Sequence, residues 1–350
     1  MKYNFDELFV KNNRKPIVIA GLRAGNYLAR EIYEHYVQYS PGSVIFLENI
    51  DESFSDTEIR VRIQQSISGK HIYIIQSFFN PLHPFSVNDN LMSFFMAVRA
   101  MREHGAKSIT GITSYLGYSR QDKPTEYQRE ATTARLVADL MITAGIDRIA
   151  CLEPHSPQIH GFFASVPLMN LSSVPIWREV FKDIHSSSDT IIVAPDIGAA
   201  KTVKNIAKSL NLPMAVASKF RPSKEKVEIM EIVGDFTGKT KAIIIDDIIS
   251  TGSTIYAVAQ MLHETKGILA IDIAATHLLG VDNCCNNFKK LTDSYGLDRI
   301  YTTNSIPLSC ELSGIGVVNV INLAEMYTLV INRMFNNESV SSMFNIATVS

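Results

Sequence analysis

The sequence predicts an α/β protein of two tandem domains, each built on a mainly parallel, doubly wound sheet. Three observations lead there. Short apolar runs alternate with helical patterns from residue 16 to residue 152, and that alternation is the mark of parallel βαβ units. The same pattern starts again after about Leu168. The 350 residues suffice for two domains with proper cores. The expected domains are 1–165 and 166–350, with the last helix able to pack back on the first.

The elements follow in order. Residues 16–21 read as a strand and turn, 28–37 as a helix and 43–47 as a second strand. An alternating strand falls within 58–67 and a buried one at 71–76. The stretch 88–104 has helical spacing, with apolar Leu91, Phe94, Phe95, Val98 and Met101. Residues 108–113 form the next strand, 132–144 an amphipathic helix stopped by Gly145, and 148–152 a further strand. In the second half 190–194, 214–218, 242–245 and 268–276 read as strands, and 201–210 and 255–266 as helices. Residues 341–350 read as an ordered tail with a frayed end.

Composition excludes several classes. The chain is 46% apolar and 19% charged, as globular proteins are. A net charge of −2 supplies no basic surplus for broad nucleic-acid binding. Cys151, Cys284, Cys285 and Cys310 fit neither a zinc spacing nor a disulfide framework. Reduced thiols are the expectation. No apolar run nears the ~18 residues of a membrane span, and residues 1–15 lack the apolar middle of a signal peptide. The expected location is cytoplasmic.

The most informative stretch is Lys241-Ala-Ile-Ile-Ile-Asp-Asp-Ile-Ile-Ser-Thr-Gly-Ser-Thr-Ile255. An apolar strand, 242–245, leads into Asp246 and Asp247. The loop Ser250, Thr251, Gly252, Ser253, Thr254 follows, and then a helix. Ligands of open α/β sheets bind beyond the carboxyl ends of strands. Backbone N–H groups in a hydroxyl-rich loop at a helix start favour phosphate, and two acids beside it can hold vicinal sugar hydroxyls. The combination points to a sugar-phosphate site, whereas a solvated turn and a helix cap would explain either half alone.

Other polar segments also sit at strand ends. Asp196 follows the first strand of the second half; it reads equally as a Mg²⁺ ligand and as the cap of the next helix. Glu153-Pro154-His155 follows the last strand of the first half, where His155 could meet a metal or phosphate or be structural. Arg120-Gln121-Asp122-Lys123 is a cationic loop able to hold phosphate, or a solvated charge run. Lys219 and Arg221 would point the same way on an extended segment and could close over a polyphosphate. A basic surface loop is the alternative.

Together and in this order, these segments resemble the ribose-phosphate diphosphokinases, also called phosphoribosyl-diphosphate synthetases. The resemblance runs from about Ile17 to Phe344. It is carried by Phe54-Ser-Asp-Thr-Glu-Ile-Arg-Val61, Pro84 with Asn88-Asp-Asn-Leu-Met92, and Gly117-Tyr-Ser-Arg-Gln-Asp-Lys123. Pro154-His-Ser-Pro-Gln-Ile-His-Gly-Phe-Phe163, Thr303-Asn-Ser-Ile-Pro307 and Glu338-Ser-Val-Ser-Ser-Met-Phe344 continue it. The acid-pair loop is similar to that of type I phosphoribosyltransferases as well, so the other segments are the more specific.

The resemblance implies two type I phosphoribosyltransferase-like domains, with ATP segments in the first and the ribose 5-phosphate loop in the second. It implies ATP binding by Arg120, Gln121 and Asp122, and an adenine pocket of Phe54, Asp56 and Glu58 lent by a neighbouring subunit. It implies Mg²⁺ at His155 and Asp196, and ribose 5-phosphate at Asp246, Asp247 and Ser250 to Thr254. Lys219 and Arg221 match its mobile catalytic loop. It also implies homo-oligomers, dimers assembled into hexamers, with phosphate as activator and ADP as inhibitor. The implied reaction turns ATP and ribose 5-phosphate into AMP and 5-phosphoribosyl 1-diphosphate for nucleotide biosynthesis. Ser250 stands where many members carry aspartate, Glu153-Pro154 where Asp-Leu is usual, and Ala199 where glycine is common; residues 80–85 are altered too. These departures bear on metal geometry and control. A type I phosphoribosyltransferase and a non-catalytic regulatory member of the family are the competing readings.

Overall fold

The computed structural model describes residues 8–10, 16–163, 165–220 and 229–344. The expected tail beyond Phe344, Arg221, and nearly all of the stretch read for a signal peptide lie outside them. Strand β1 (Ile17–Gly21) is buried along its whole length, as a strand covered on both faces must be. Helix α1 (Asn26–Tyr39) returns the chain to β2 (Val44–Leu47), beside β1. A two-stranded hairpin follows: β4 (Ile59–Val61) falls within the stretch 58–67 read as containing a strand, and its partner β3 (Asp51–Ser53) lies outside every expected element.

Strand β5 (His71–Ser77) pairs on the other edge of β1. Helix α2 (Val87–Glu103) opens with a reciprocal cap: Ser86 Oγ accepts from Asp89 N, and Ser86 N donates to the Asp89 carboxylate. Strand β6 (Ser108–Tyr115), helix α3 (Thr133–Ala144), strand β7 (Arg148–Leu152), helix α4 (Ile159–Phe162) and strand β8 (Leu168–Leu171) complete this half. Among the described residues the sheet order is β2-β1-β5-β6-β7-β8, and every pairing is parallel. The division expected at 165/166 falls just ahead of β8, which pairs with β7.

After helix α5 (Val174–Val180) the second sheet opens with β9 (Thr190–Ala194) and α6 (Ala200–Ser209). Strands β10 (Met214–Phe220), β11 (Ile229–Val233) and β12 (Lys241–Ile249) follow, then α7 (Ser253–Lys266) and β13 (Ala270–Leu278). Helix α8 (Cys284–Ser294), β14 (Leu297–Thr303), α9 (Cys310–Ser313), β15 (Val318–Ile321) and α10 (Ala324–Phe335) end it. The order is β11-β10-β9-β12-β13-β14-β15, with β11 antiparallel and the rest parallel. Winding therefore reverses between β9 and β12, which makes a crevice at their carboxyl ends.

The halves share one core. Ile17, Ile19 and Leu28 of the first cluster with Trp177, Ile243 and Tyr327 of the second. Helix α10 lies against α1, where Thr328 Oγ1 donates to Ile32 O over 3.3 Å. Polar ties add direction: Tyr27 Oη donates to Asn304 O over 2.8 Å, and Ser114 Oγ to Ser305 O over 2.8 Å. His277 of β13 is the central tie, since its Nε2 lies 3.0 Å from Leu152 O and its Nδ1 2.8 Å from Ser305 Oγ.

Burial pushes the His277 imidazole down from an ordinary 6.5 to about 4. The folded chain therefore keeps this ring neutral where the unfolded chain takes up a proton. Its contribution is fully present above pH 6.5 and is lost as pH falls toward 4, by ~3 kcal/mol for a shift of this size. His277→Gln is expected to flatten that part of the stability–pH curve, measured by urea midpoints from pH 7 to 4. Parallel curves for variant and parent would refute this.

Candidate active site

The site begins with a mismatch in strand pairing. Strand β12 pairs with β9 only from Lys241 to Ile244, but with β13 as far as Ile249. From Ile245 onward its β9 side is open, and Asp246 and Asp247 lie on this open stretch. The acid pair was expected after the strand; it sits within it, because β13 continues to hold the backbone there. Past the end of β9, Asp196 Oδ1 accepts from Ala199 N over 2.9 Å. That bond ties down the turn into α6, but the cap position is Ala199 and carries no side-chain cap bond, so Asp196 braces the turn rather than capping the helix. The same carboxylate also faces Asp246 and Asp247 across the crevice.

The first sheet contributes the opposite wall. After β7, Glu153 and His155 both take left-handed backbone, with φ of 40° and 58°. Such conformations cost non-glycine residues on the order of 1 kcal/mol each. The turn is fixed by Glu153, whose carboxylate accepts from Ser173 N at 2.6 Å and Ser173 Oγ at 3.0 Å. This aims His155 at the second sheet, where its Nδ1 lies 2.7 Å from Asp247 Oδ2. The Asp247 hydrogen bond raises the His155 imidazole above its ordinary value against the effect of burial. Burial would lift the Asp247 carboxyl, yet its bonds to His155 and Asp246 and the His155 charge hold it below the usual carboxylate range. Burial, and then the Asp247 charge, hold Asp246 well above that range.

Two adjoining cavities share His155, Asp196, Asp246 and Asp247. One, of about 340 Å³, adds Asp122, Lys123 and Glu153. The other, of about 350 Å³, adds Arg120 and the whole loop from Ser250 to Thr254. Gly252 precedes the first turn of α7 with φ 71°, a conformation that favours glycine. The structure thus brings together Arg120, Asp122, His155, Asp196, Asp246, Asp247 and the loop.

It leaves others apart. Phe54 lies just past β3, Asp56 in the turn and Glu58 just ahead of β4, outside both cavities. Phe54 is 45% exposed, with the Arg60 guanidinium 4.9 Å from its ring centroid. Gln121 is exposed and is not in either cavity wall. The backbone of Lys219 pairs with Met230 near the end of β10, while Arg221 lies outside the described residues. Trp177, Ser173 and Thr202 line the first cavity with no warning in the sequence. Trp177 reaches it from α5, Ser173 from the residue just ahead of α5 and Thr202 from α6, elements whose local pattern speaks only of packing.

Residues 17–145 match the family model described as the N-terminal domain of ribose phosphate pyrophosphokinase. Residues 200–345 match the phosphoribosyl synthetase-associated domain. The ribose-phosphate pyrophosphokinase of Vibrio cholerae is 36% identical over 293 residues, covering 83% of this chain and 89% of the relative. That of Haemophilus influenzae is 38% identical over 296 residues, with the same shares. The crystal structure of phosphoribosylpyrophosphate synthetase from Mycobacterium smegmatis superposes with a TM-score of 0.80 at 29% identity, covering 93% of this chain and 100% of that one. The acid-pair crevice, the amide-rich loop and the two tandem parallel sheets are therefore those of a chain that belongs to the ribose-phosphate pyrophosphokinase family.

Proposed function

We propose that this enzyme moves the diphosphoryl group of ATP to the anomeric hydroxyl of ribose 5-phosphate, forming 5-phosphoribosyl 1-diphosphate and AMP. One observation carries the reading. The sugar-phosphate elements of the second sheet, Asp246, Asp247 and the loop from Ser250 to Thr254, share adjoining cavities with Arg120, Asp122 and His155 of the first. A donor and an acceptor substrate bound on opposite sheets would meet at that seam.

In this reading the loop amides hold the 5-phosphate, and the acid pair holds the ribose hydroxyls. The anomeric oxygen attacks the β-phosphorus in line, and AMP leaves. Such chemistry rests on positioning and charge neutralisation. Arg120, Gln121 and Asp122 hold ATP; Lys219 and Arg221 offset charge developing on the transferred group. Phe54, Asp56 and Glu58 serve the adenine of a second copy, which fits a hairpin whose tip stands outside its own chain's cavities. A homo-oligomer of dimers joined into hexamers, inorganic phosphate as activator and a cytoplasmic location belong to the same proposal. No helix among the described residues is long and apolar enough to cross a membrane.

The residues suit Mg²⁺. Among the described residues no group of three or more His, Cys, Asp or Glu converges as a metal cage. Magnesium rarely needs one, because it keeps waters and takes one or two carboxylates plus substrate phosphates. Asp196, with one oxygen committed to Ala199 N, and His155, with Nδ1 committed to Asp247, would hold it. When bound there, the ion supplies charge neutralisation at the polyphosphate.

Three outcomes are expected. The purified chain, given ATP, Mg²⁺ and ribose 5-phosphate, releases AMP in step with 5-phosphoribosyl 1-diphosphate; chromatography showing no AMP would sink the proposal. Lys219→Ala cuts turnover by about 10²–10³ while ribose 5-phosphate still binds, and near-normal turnover would remove Lys219 from the mechanism. Asp247→Asn weakens ribose 5-phosphate binding by roughly tenfold or more in calorimetric titration; an unchanged isotherm would discharge the acid pair from its role.

A further inference from the structure

The amides of the phosphate loop face the cavity for a reason that lies outside the loop. Three successive carbonyls are tied to the segment that joins β13 to α8 and to the start of α8 itself. Leu279 N donates to Ile249 O over 2.8 Å, and Val281 N to Ser250 O over 3.1 Å. The Asn287 side-chain amide, Nδ2, donates to Thr251 O over 2.9 Å. A trans peptide is planar, so each C=O points opposite to the N–H of the residue after it. Holding the carbonyls of Ile249, Ser250 and Thr251 toward residues 279–287 therefore turns the N–H groups of Ser250, Thr251 and Gly252 the other way. Among the described residues no protein acceptor meets those three N–H groups. The same loop residues line the cavity that also contains Arg120 and the acid pair.

The third tie differs from the other two. Leu279 and Val281 use their backbone, which any sequence would supply. Asn287 uses its side chain, from the first turn of α8, and it controls the peptide that enters the left-handed Gly252. A Cβ built on Gly252 would lie 3.4 Å from Cys284 Sγ, 3.7 Å from Phe288 Cε1 and 3.9 Å from Asn287 Cβ. Helix α8 thus packs against the turn on the side away from its amides.

We infer that Asn287 is a positioning residue for ribose 5-phosphate: by holding Thr251 O it presents the Gly252 N–H, and with it the loop cradle, to the 5-phosphate. The inference rests on the proposed reading of this loop as the phosphate site. An Asn287 without its donor would let the Thr251–Gly252 peptide rotate, and the cradle would lose a pre-aimed donor to the anion.

The test uses the full chain and ribose 5-phosphate itself as the probe. Asn287→Leu removes the donor at similar volume. It is expected to raise the calorimetric Kd and the KM for ribose 5-phosphate about tenfold, with KM for ATP and the melting temperature little changed. Asn287→Gln keeps an amide donor and is expected to recover part of the affinity, which a purely structural role would not predict. Asn287→Asp keeps the shape without the N–H and serves if the leucine variant fails to fold. Parent-like ribose 5-phosphate affinity in a folded variant lacking the donor overturns the inference. Ser253→Asp, which sets a carboxylate in the cradle, separates the two levels. If it abolishes binding while the Asn287 variants bind normally, the loop reading stands and the Asn287 role falls; if it too binds normally, both fall.

Discussion

Everything in this molecule turns on an electrostatic conflict between neighbours on one strand. Asp246 and Asp247 stand side by side in a crevice: burial and the Asp247 charge work against a charge on Asp246, while the Asp246 bond helps keep Asp247 ionised. His155 settles half of the conflict by sitting 2.7 Å from Asp247. Asp246 stays well above the usual carboxylate range, through burial first and its neighbour's charge second. The crevice thus holds one acid with a charge partner and one without.

The compensation comes from the other sheet, and this makes domain apposition part of the chemistry. His155 follows β7, and the backbone leading to it is fixed by polar bonds: Glu153 is clamped by Ser173, and Leu152 O is met by His277 of β13. A shift of either sheet would break the His155–Asp247 contact before it disturbed much of the core. The shared apolar cluster, with Trp177 and Tyr327 fully buried at the seam, resists such a shift. The two walls differ in character: the loops after β6 and β7 bring Arg120, Lys123 and His155, and β12 with its loop brings the acid pair and the backbone of Ser250 to Thr254.

Much of this was legible in the chain. Buried parallel strands betray themselves as apolar runs, which is why β1, β5, β7, β9 and β12 could be read directly. The acid-pair loop could be read because its strand, acids, glycine and helix are contiguous. Strands β8, β11, β14 and β15 escaped for opposite reasons. Strand β14 carries Asp298, Arg299 and two threonines, so its pattern resembles a loop. Strand β15 is a half-exposed edge, and its strand character comes from pairing with β14 rather than from its own residues. The length of β12 is hidden for the same cause: polar Asp246 and Asp247 end the apolar run, but β13 carries the pairing on to Ile249.

The sequence by itself determined the class of the fold, the buried strands that run as unbroken apolar stretches and the contiguous acid-pair loop, because periodicity and glycine placement are local properties. Only the tertiary structure decided that Asp196 both ties down a helix start and faces the acid pair, that His155 reaches Asp247 across 92 positions of chain, and that Asn287 holds a carbonyl 36 residues before it. Hydrogen bonds and charge pairing act through space within a few ångströms, and no local pattern records which distant residues the packing of two sheets will bring that close.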